Sequence, residues 1–133
     1  MADADETLPG EIAPLELAAS QDMVLAYAEL TDDFNPIHVD PAFAAETPFG
    51  GPIAHGTMAL NLVLVAVERS LGRPVCGLAV RFVKPVPVGA TIRAGGRLAD
   101  AARGTYEVFV ETDAGVRALE GTLTVGPAPR AAP

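Results

Sequence analysis

The stretch HGTMALNLVLVAVERSLGRP, His55 to Pro74, decides the architecture. From Thr57 to Leu71 its only polar groups are Thr57, Asn61, Glu68, Arg69 and Ser70. Apolar residues fall on nearly every side of the helical wheel, and a helix of that kind is wrapped by other structure. The end is well marked. Gly72 suits a left-handed cap, and Pro74 bars continuation. The valines would also suit a strand, but the length of the run and its caps select helix. Its most apolar part, MALNLVLVAV, is too short for a membrane span, which needs about 20 residues.

Upstream, residues 11–19 predict a first strand that Pro14 confines to an edge or a bend. Ser20 is a good N-cap for a helix over 21–30, with Asp22 in the first turn where the helix dipole favours an acid. Met23, Tyr27 and Leu30 form its apolar face. Residues 31–53 carry prolines at 36, 41, 48 and 52 and read as loop, with one helical turn at PAFAAE begun by Pro41. Loops of this length in a compact domain are usually functional.

Downstream, PVCGLAVRFVKPV (74–86) places Cys76, Leu78, Val80 and Phe82 on one strand face and Arg81 on the other. Further strands follow at 90–101, 104–113 and 116–125, joined by short turns into an antiparallel meander. One long helix followed by a run of strands is an α+β pattern. A single domain is expected over 11–126. An acidic flexible tail is expected at 1–10 and a Pro/Ala-rich one at 127–133.

Half of the 133 residues are apolar and a fifth are charged, a globular composition. The formal charge is −8, which argues against a nucleic-acid platform. The charges are unevenly spread: the first base is Arg69, so any anion-binding face must come from the second half. The first residues, MADADETLPGE, lack the layout of a secretory signal. The single cysteine, Cys76, permits no intrachain disulfide and reads as a small buried hydrophobe. A cytoplasmic protein is expected.

The chemistry is concentrated in the loop. In DDFNPIHVDPAF, Pro36 and Asn35 can curl the chain so that Asp33 and His38 converge as a base able to hold and deprotonate water. Alone, such a pair reads better as an ordinary turn. Gly56 adds weight, because it opens the buried helix where free N–H groups meet a partial positive charge. A glycine there lets a ligand approach the backbone, and such donors suit a developing oxyanion. His55 reads as support for that turn. Two histidines and one cysteine without ligand spacing make a weak metal case, so no metal is expected. No phosphate loop, dinucleotide fingerprint or nucleophile elbow is present, so no cofactor is expected.

YAELTDDFNPIHVDPAFAAETPFGGPIAHGTMALNL resembles the hydratase signature of the MaoC-like, (R)-specific enoyl-CoA hydratase family. VRFVKPVPVGATI is similar to the strand pair that follows the family's central helix. The resemblance spans roughly residues 15–125. It implies a hot-dog fold, a curved antiparallel sheet wrapped around a long central helix. It implies a homodimer whose sheets join and reversible addition of water to a trans-2-enoyl thioester of coenzyme A. Asp33 and His38 are then the water-activating pair, Gly56 the backbone donor to the thioester oxygen, and Asn35 a shaper of the loop. Leu60, Leu64 and Val67 share a helix face that either lines the acyl tunnel or is plain core. Arg81 and Lys84 are candidates for phosphate contacts. Alternatives are a dehydratase acting on carrier-protein thioesters in fatty-acid or polyketide synthesis, a hot-dog thioesterase, and a catalytically silent partner subunit.

Overall fold

The computed structural model describes residues 7–127. The elements run β1 (Glu11–Ala18), α1 (Gln21–Thr31), α2 (Pro36–Val39), α3 (Pro41–Ala45), α4 (Gly56–Leu71), β2 (Val75–Phe82), β3 (Thr91–Asp100), β4 (Thr105–Thr112) and β5 (Arg117–Val125). The five strands form one sheet in the order β1-β3-β4-β5-β2, antiparallel throughout. Only β3, β4 and β5 follow each other as a meander. β2 pairs with β5 on the far edge, which corrects the simple meander expected. Neighbouring turn signals carry no information about which edge a strand takes after a crossover.

α4 packs on β1, β3, β4 and β5. It buries Met58, Ala59, Leu62, Val63, Ala66 and Val67 against an inner sheet face that includes Ile92, Ala94, Tyr106, Val108, Val110, Leu119 and Leu123. Full burial of a side chain such as Val or Leu is worth about 1.5–3 kcal/mol, so this one contact dominates the fold. The wrapping is not complete: Asn61 and Val65 are exposed, and Leu60 and Leu64 are half-buried. Gly72 ends the helix with φ 60 and ψ 30, and its N–H donates to the Glu68 carbonyl at 3.0 Å. A left-handed C-cap of this kind is where glycine avoids the Cβ penalty.

α1 begins as expected, with the Ser20 hydroxyl accepting from Met23 N–H at 3.1 Å. Its inward face differs, however. Val24 and Ala28 are buried, whereas Met23 is 38% and Leu30 82% exposed. The two stripes lie one residue apart in phase, and both have the spacing of a helical face. Tertiary packing selects the smaller pair, which seats the helix close to the core.

Pro14 falls where β1 shifts register against β3, between Ile12 and Leu15, at the sheet edge. That suits a residue unable to donate to a ladder. Cys76 is exposed on β2, not buried, because β2 is the opposite edge and no residue along it is fully covered. Residues 1–6 and 128–133, most of the two expected tails, lie outside the described residues. In the described part of the first, Leu8 packs against the core. The Tyr106 hydroxyl donates to the Pro9 carbonyl at 2.6 Å, and Leu98 N–H donates to the Gly10 carbonyl at 2.8 Å. Residues 8–10 are therefore anchored rather than loose. No helix among the described residues is long and apolar enough to cross a membrane.

Candidate active site

The loop is shaped by its own polar side chains. α1 ends at Asp32, which adopts a left-handed conformation with φ 55 and ψ 41. Asp33 N–H then donates back to the Ala28 carbonyl at 3.0 Å. The Asp33 carboxylate accepts from Asn35 N–H at 3.3 Å, and the Asn35 side chain accepts from Ile37 N–H at 3.1 Å. Asn35 thereby caps α2, a short helix that begins at Pro36 and that the loop reading of this segment did not foresee. Pro36 occupies a position where its missing N–H costs nothing. The Asp40 side chain caps α3 in the same way, accepting from Phe43 N–H at 3.1 Å.

α2 carries His38 to the head of α4. His38 Nδ1 lies 2.7 Å from the Ile53 carbonyl. A carbonyl only accepts, so Nδ1 bears a proton, and in the neutral ring Nε2 carries the lone pair. Ile53 N–H returns a bond to the Ile37 carbonyl at 3.1 Å, which locks the two segments together. His55 Nε2 lies 2.9 Å from the Asp33 carbonyl and donates to it. The His38 and His55 rings stack with centroids 4.0 Å apart at 25°. His55 is buried, and its Nδ1 has no hydrogen-bond partner among the described residues. Tyr27 leans on His55 at 5.0 Å, donates its hydroxyl to Thr57 Oγ1 at 2.7 Å and accepts from Asn61 Nδ2 at 2.8 Å.

Asp33, His38 and His55 thus bring one nitrogen or oxygen each within 4.8 Å of one another. Such a cluster has the ligand types of a metal site, but its geometry favours acid–base work. His38 spends Nδ1 on the Ile53 carbonyl. His55 also spends Nε2 on the backbone. Asp33 is exposed and His38 half-buried, so water reaches both.

A cavity of about 260 Å³ is lined by His38, but not by Asp33, with Phe49, Gly56, Ala59, Phe82 and Lys84 also in its wall. Gly56 is the first residue of α4. Its N–H is one of the four that a helix leaves without an internal acceptor. Gly56 has no positive φ, and a Cβ built on it would come no closer than 3.4 Å to the Phe82 ring. Neither backbone strain nor a clash demands glycine there. Larger grooves of about 580 and 590 Å³ lie on the sheet, lined by residues such as Glu107 and Arg117, and touch neither Asp33 nor His38.

The remaining candidates separate. Lys84 lines the cavity, but Arg81 does not. Arg81 pairs with Glu120 on the neighbouring strand, and its hydrogen bond holds the Glu120 carboxyl below the usual carboxylate range. Glu120 also meets Arg117, which reaches Glu111, which in turn meets Arg93. Arg81 thus belongs to a charge ladder running across the sheet. Val67 is fully buried in the core, and Leu60 and Leu64 pack partly against it. These three are absent from the cavity lining, where Gly56 and Ala59 represent the helix instead. Phe49 and Phe82 were missed as lining residues. Phe49 sits in an irregular loop, and the strand alternation that marks Phe82 carries no sign that its ring meets the helix head.

One long helix on a five-stranded antiparallel sheet, with an acid–histidine loop at the helix head, defines a hot-dog protein of the hydratase type. The chain belongs to the family described as the MaoC-like domain, whose model matches residues 6–118. It is 42% identical over 74 residues to the (R)-specific enoyl-CoA hydratase of Aeromonas caviae, covering 53% of this chain and 55% of that protein. It is 38% identical over 109 residues to 3-hydroxyacyl-thioester dehydratase Z of Mycobacterium tuberculosis, covering 70% of this chain and 68% of that one. The matched sequence therefore spans about half to two-thirds of these curated relatives. Among solved structures, the (R)-hydratase of A. caviae involved in PHA biosynthesis superposes with a TM-score of 0.82 at 31% identity, over 93% of this chain and 99% of that one.

Proposed function

We propose that this protein is an (R)-specific enoyl-CoA hydratase and 3-hydroxyacyl-thioester dehydratase, acting in the cytoplasm on fatty acyl thioesters. The observation that carries the reading is the convergence of Asp33 and His38 within 4.8 Å, beside a cavity that His38 shares with Gly56. A trans-2-enoyl thioester lies with its carbonyl oxygen on the Gly56 N–H. Water sits between the Asp33 carboxylate and His38 Nε2, whose lone pair is left open by the Nδ1–H bond to Ile53. The pair removes one proton as the water oxygen bonds C3. Electrons of the C2–C3 double bond move toward the thioester oxygen, where the helix head stabilises the charge. A proton is then delivered to C2, giving the 3-hydroxyacyl thioester; dehydration runs the same steps backwards. Acid–base help of this kind is typically worth about 10²–10⁴ in rate.

The glycine supports this reading. Nothing in the packing requires a glycine at position 56. Leaving the N–H uncovered for a ligand accounts for it. Ala59, Phe82 and Val86 take the acyl-facing role considered for Leu60, Leu64 and Val67.

We also infer a homodimer joined through β2. That edge exposes Val75, Leu78 and Phe82, and its outer side has no strand partner among the described residues. An open apolar edge invites pairing with a second strand, whereas the other edge is blunted by Pro14. Sedimentation should give twice the 13.7 kDa chain mass; a monomer would contradict this. The activity is tested by hydration of crotonyl-CoA with chiral analysis of the product. Accumulation of the (R)-3-hydroxy thioester supports the reading, and release of free thiol would point to a thioesterase instead. Comparing crotonyl-CoA with the crotonyl carrier-protein thioester decides which carrier is preferred.

A further inference from the structure

The Phe82 ring is the nearest neighbour of the space where a Cβ on Gly56 would stand. A Cβ built on Gly56 would meet Phe82 Cε1 at 3.4 Å and Cδ1 at 3.5 Å. The ring is 55% exposed and lines the same cavity as His38, Gly56 and Ala59. Its backbone is pinned: Phe82 pairs with Leu119, and the following residue, Val83, donates to the Ala118 carbonyl at 2.8 Å.

Resting on the hydratase reading above, we propose that Phe82 is a specificity-determining residue that faces C2 of the acyl group and excludes thioesters branched at C2. The covalent chain of the substrate sets the geometry. With the carbonyl oxygen on the Gly56 N–H, C2 lies only two bonds away from that oxygen. C3 must lie toward Asp33 and His38 to receive water. C2 therefore spans the short gap between the helix head and the catalytic pair, beside the ring that rests on Gly56. An unbranched C2 is a flat CH that packs against an aromatic edge. A methyl group there must push the ring aside, while the pairing of Phe82 with Leu119 holds its backbone in place.

The test compares kcat/KM for crotonyl-CoA and 2-methylcrotonyl-CoA in the wild type, Phe82→Ala and Phe82→Leu, with the mass of each variant checked for assembly. The wild type should prefer the unbranched substrate by at least about 10-fold, the low end of what one methyl group is worth in an apolar pocket. Phe82→Ala should narrow that ratio at least about 5-fold, on the same scale of methyl discrimination, chiefly by gain on the branched substrate. Phe82→Leu keeps an apolar side chain on the strand and should fall between the two; it carries the test if the alanine variant does not fold. Hydration of crotonyl-CoA with an unchanged ratio in the variants, or a wild type indifferent to the methyl group, overturns the role of Phe82 alone. No hydration of crotonyl-CoA by the wild type overturns the hydratase reading and this proposal with it.

Discussion

The imidazole of His38 lies on the imidazole of His55, centroids 4.0 Å apart at 25°. His55 also donates from Nε2 to the carbonyl of Asp33. One buried ring therefore holds both members of the proposed water-activating pair: it supports the face of His38 and fixes the backbone of Asp33. This makes His55 a positioning residue.

His55→Phe keeps a flat ring beneath His38 and removes the bond to Asp33. Losing one hydrogen bond costs about 0.5–1.5 kcal/mol, while removing the unpartnered buried Nδ1 relieves about 1–3 kcal/mol. These effects oppose each other, so the thermal midpoint should move little. Misplacement of catalytic groups by about 1 Å can cost 10²-fold, so kcat should fall at least tenfold with KM nearly unchanged. Steady-state kinetics beside a melting curve measure both. A large loss of stability with intact kcat would contradict the positioning role.

Much of the scaffold was legible in the sequence because its signals are local. The apolar run of α4 with Gly72 beyond it, the Ser20 cap and the placement of β3, β4 and β5 each depend on residues close together in the chain. The site's anchors were legible for the same reason, since Asp33, Asn35 and His38 lie within one turn-rich hexapeptide and Gly56 heads the helix. What stayed hidden depends on distant partners. The stripe of α1 that faces inward, the edge position of β2, the exposure of Cys76 and the ion pair of Arg81 with Glu120 are decided by which elements meet. Phe82 against Gly56 is of this kind: 26 residues separate them, and no periodicity links a strand end to a helix start.

Lys84 and Arg81 differ in their surroundings, and their variants should differ too. Lys84 lines the cavity, whereas Arg81 is committed to Glu120 and largely solvated. Lys84→Ala should raise KM for a coenzyme A thioester about 3–10-fold, with the effect shrinking at high salt as screening weakens the wild-type contact. Arg81→Ala should leave KM unchanged and alter stability by no more than about 1 kcal/mol, as for other exposed ion pairs. KM at two ionic strengths separates the residues; equal effects would contradict the assignment.

Tyr106 links stability to alkaline pH. Its ring is fully buried, its hydroxyl donates to the Pro9 carbonyl, and burial raises its pKa above the ordinary value of 10.0, with Arg73 opposing. The folded state thus holds this proton more tightly than the unfolded state. The stabilising contribution is complete below the ordinary value and is lost as pH climbs through it toward the raised one. Tyr106→Phe should cost about 0.5–1.5 kcal/mol at neutral pH through the lost hydrogen bond. The gap between variant and wild type should then close as pH rises past 10.0. Urea melts at neutral and alkaline pH measure this, and a gap constant with pH would contradict it.

The most direct measurement is the turnover of crotonyl-CoA by Asp33→Asn and His38→Gln, each beside a far-UV dichroism spectrum. Both substitutions preserve shape and remove proton transfer. Each variant should lose at least about two decades of kcat, the lower end of acid–base catalysis, while keeping the native spectrum. Near-full turnover in either variant would contradict the assignment of Asp33 and His38 as the pair that activates water.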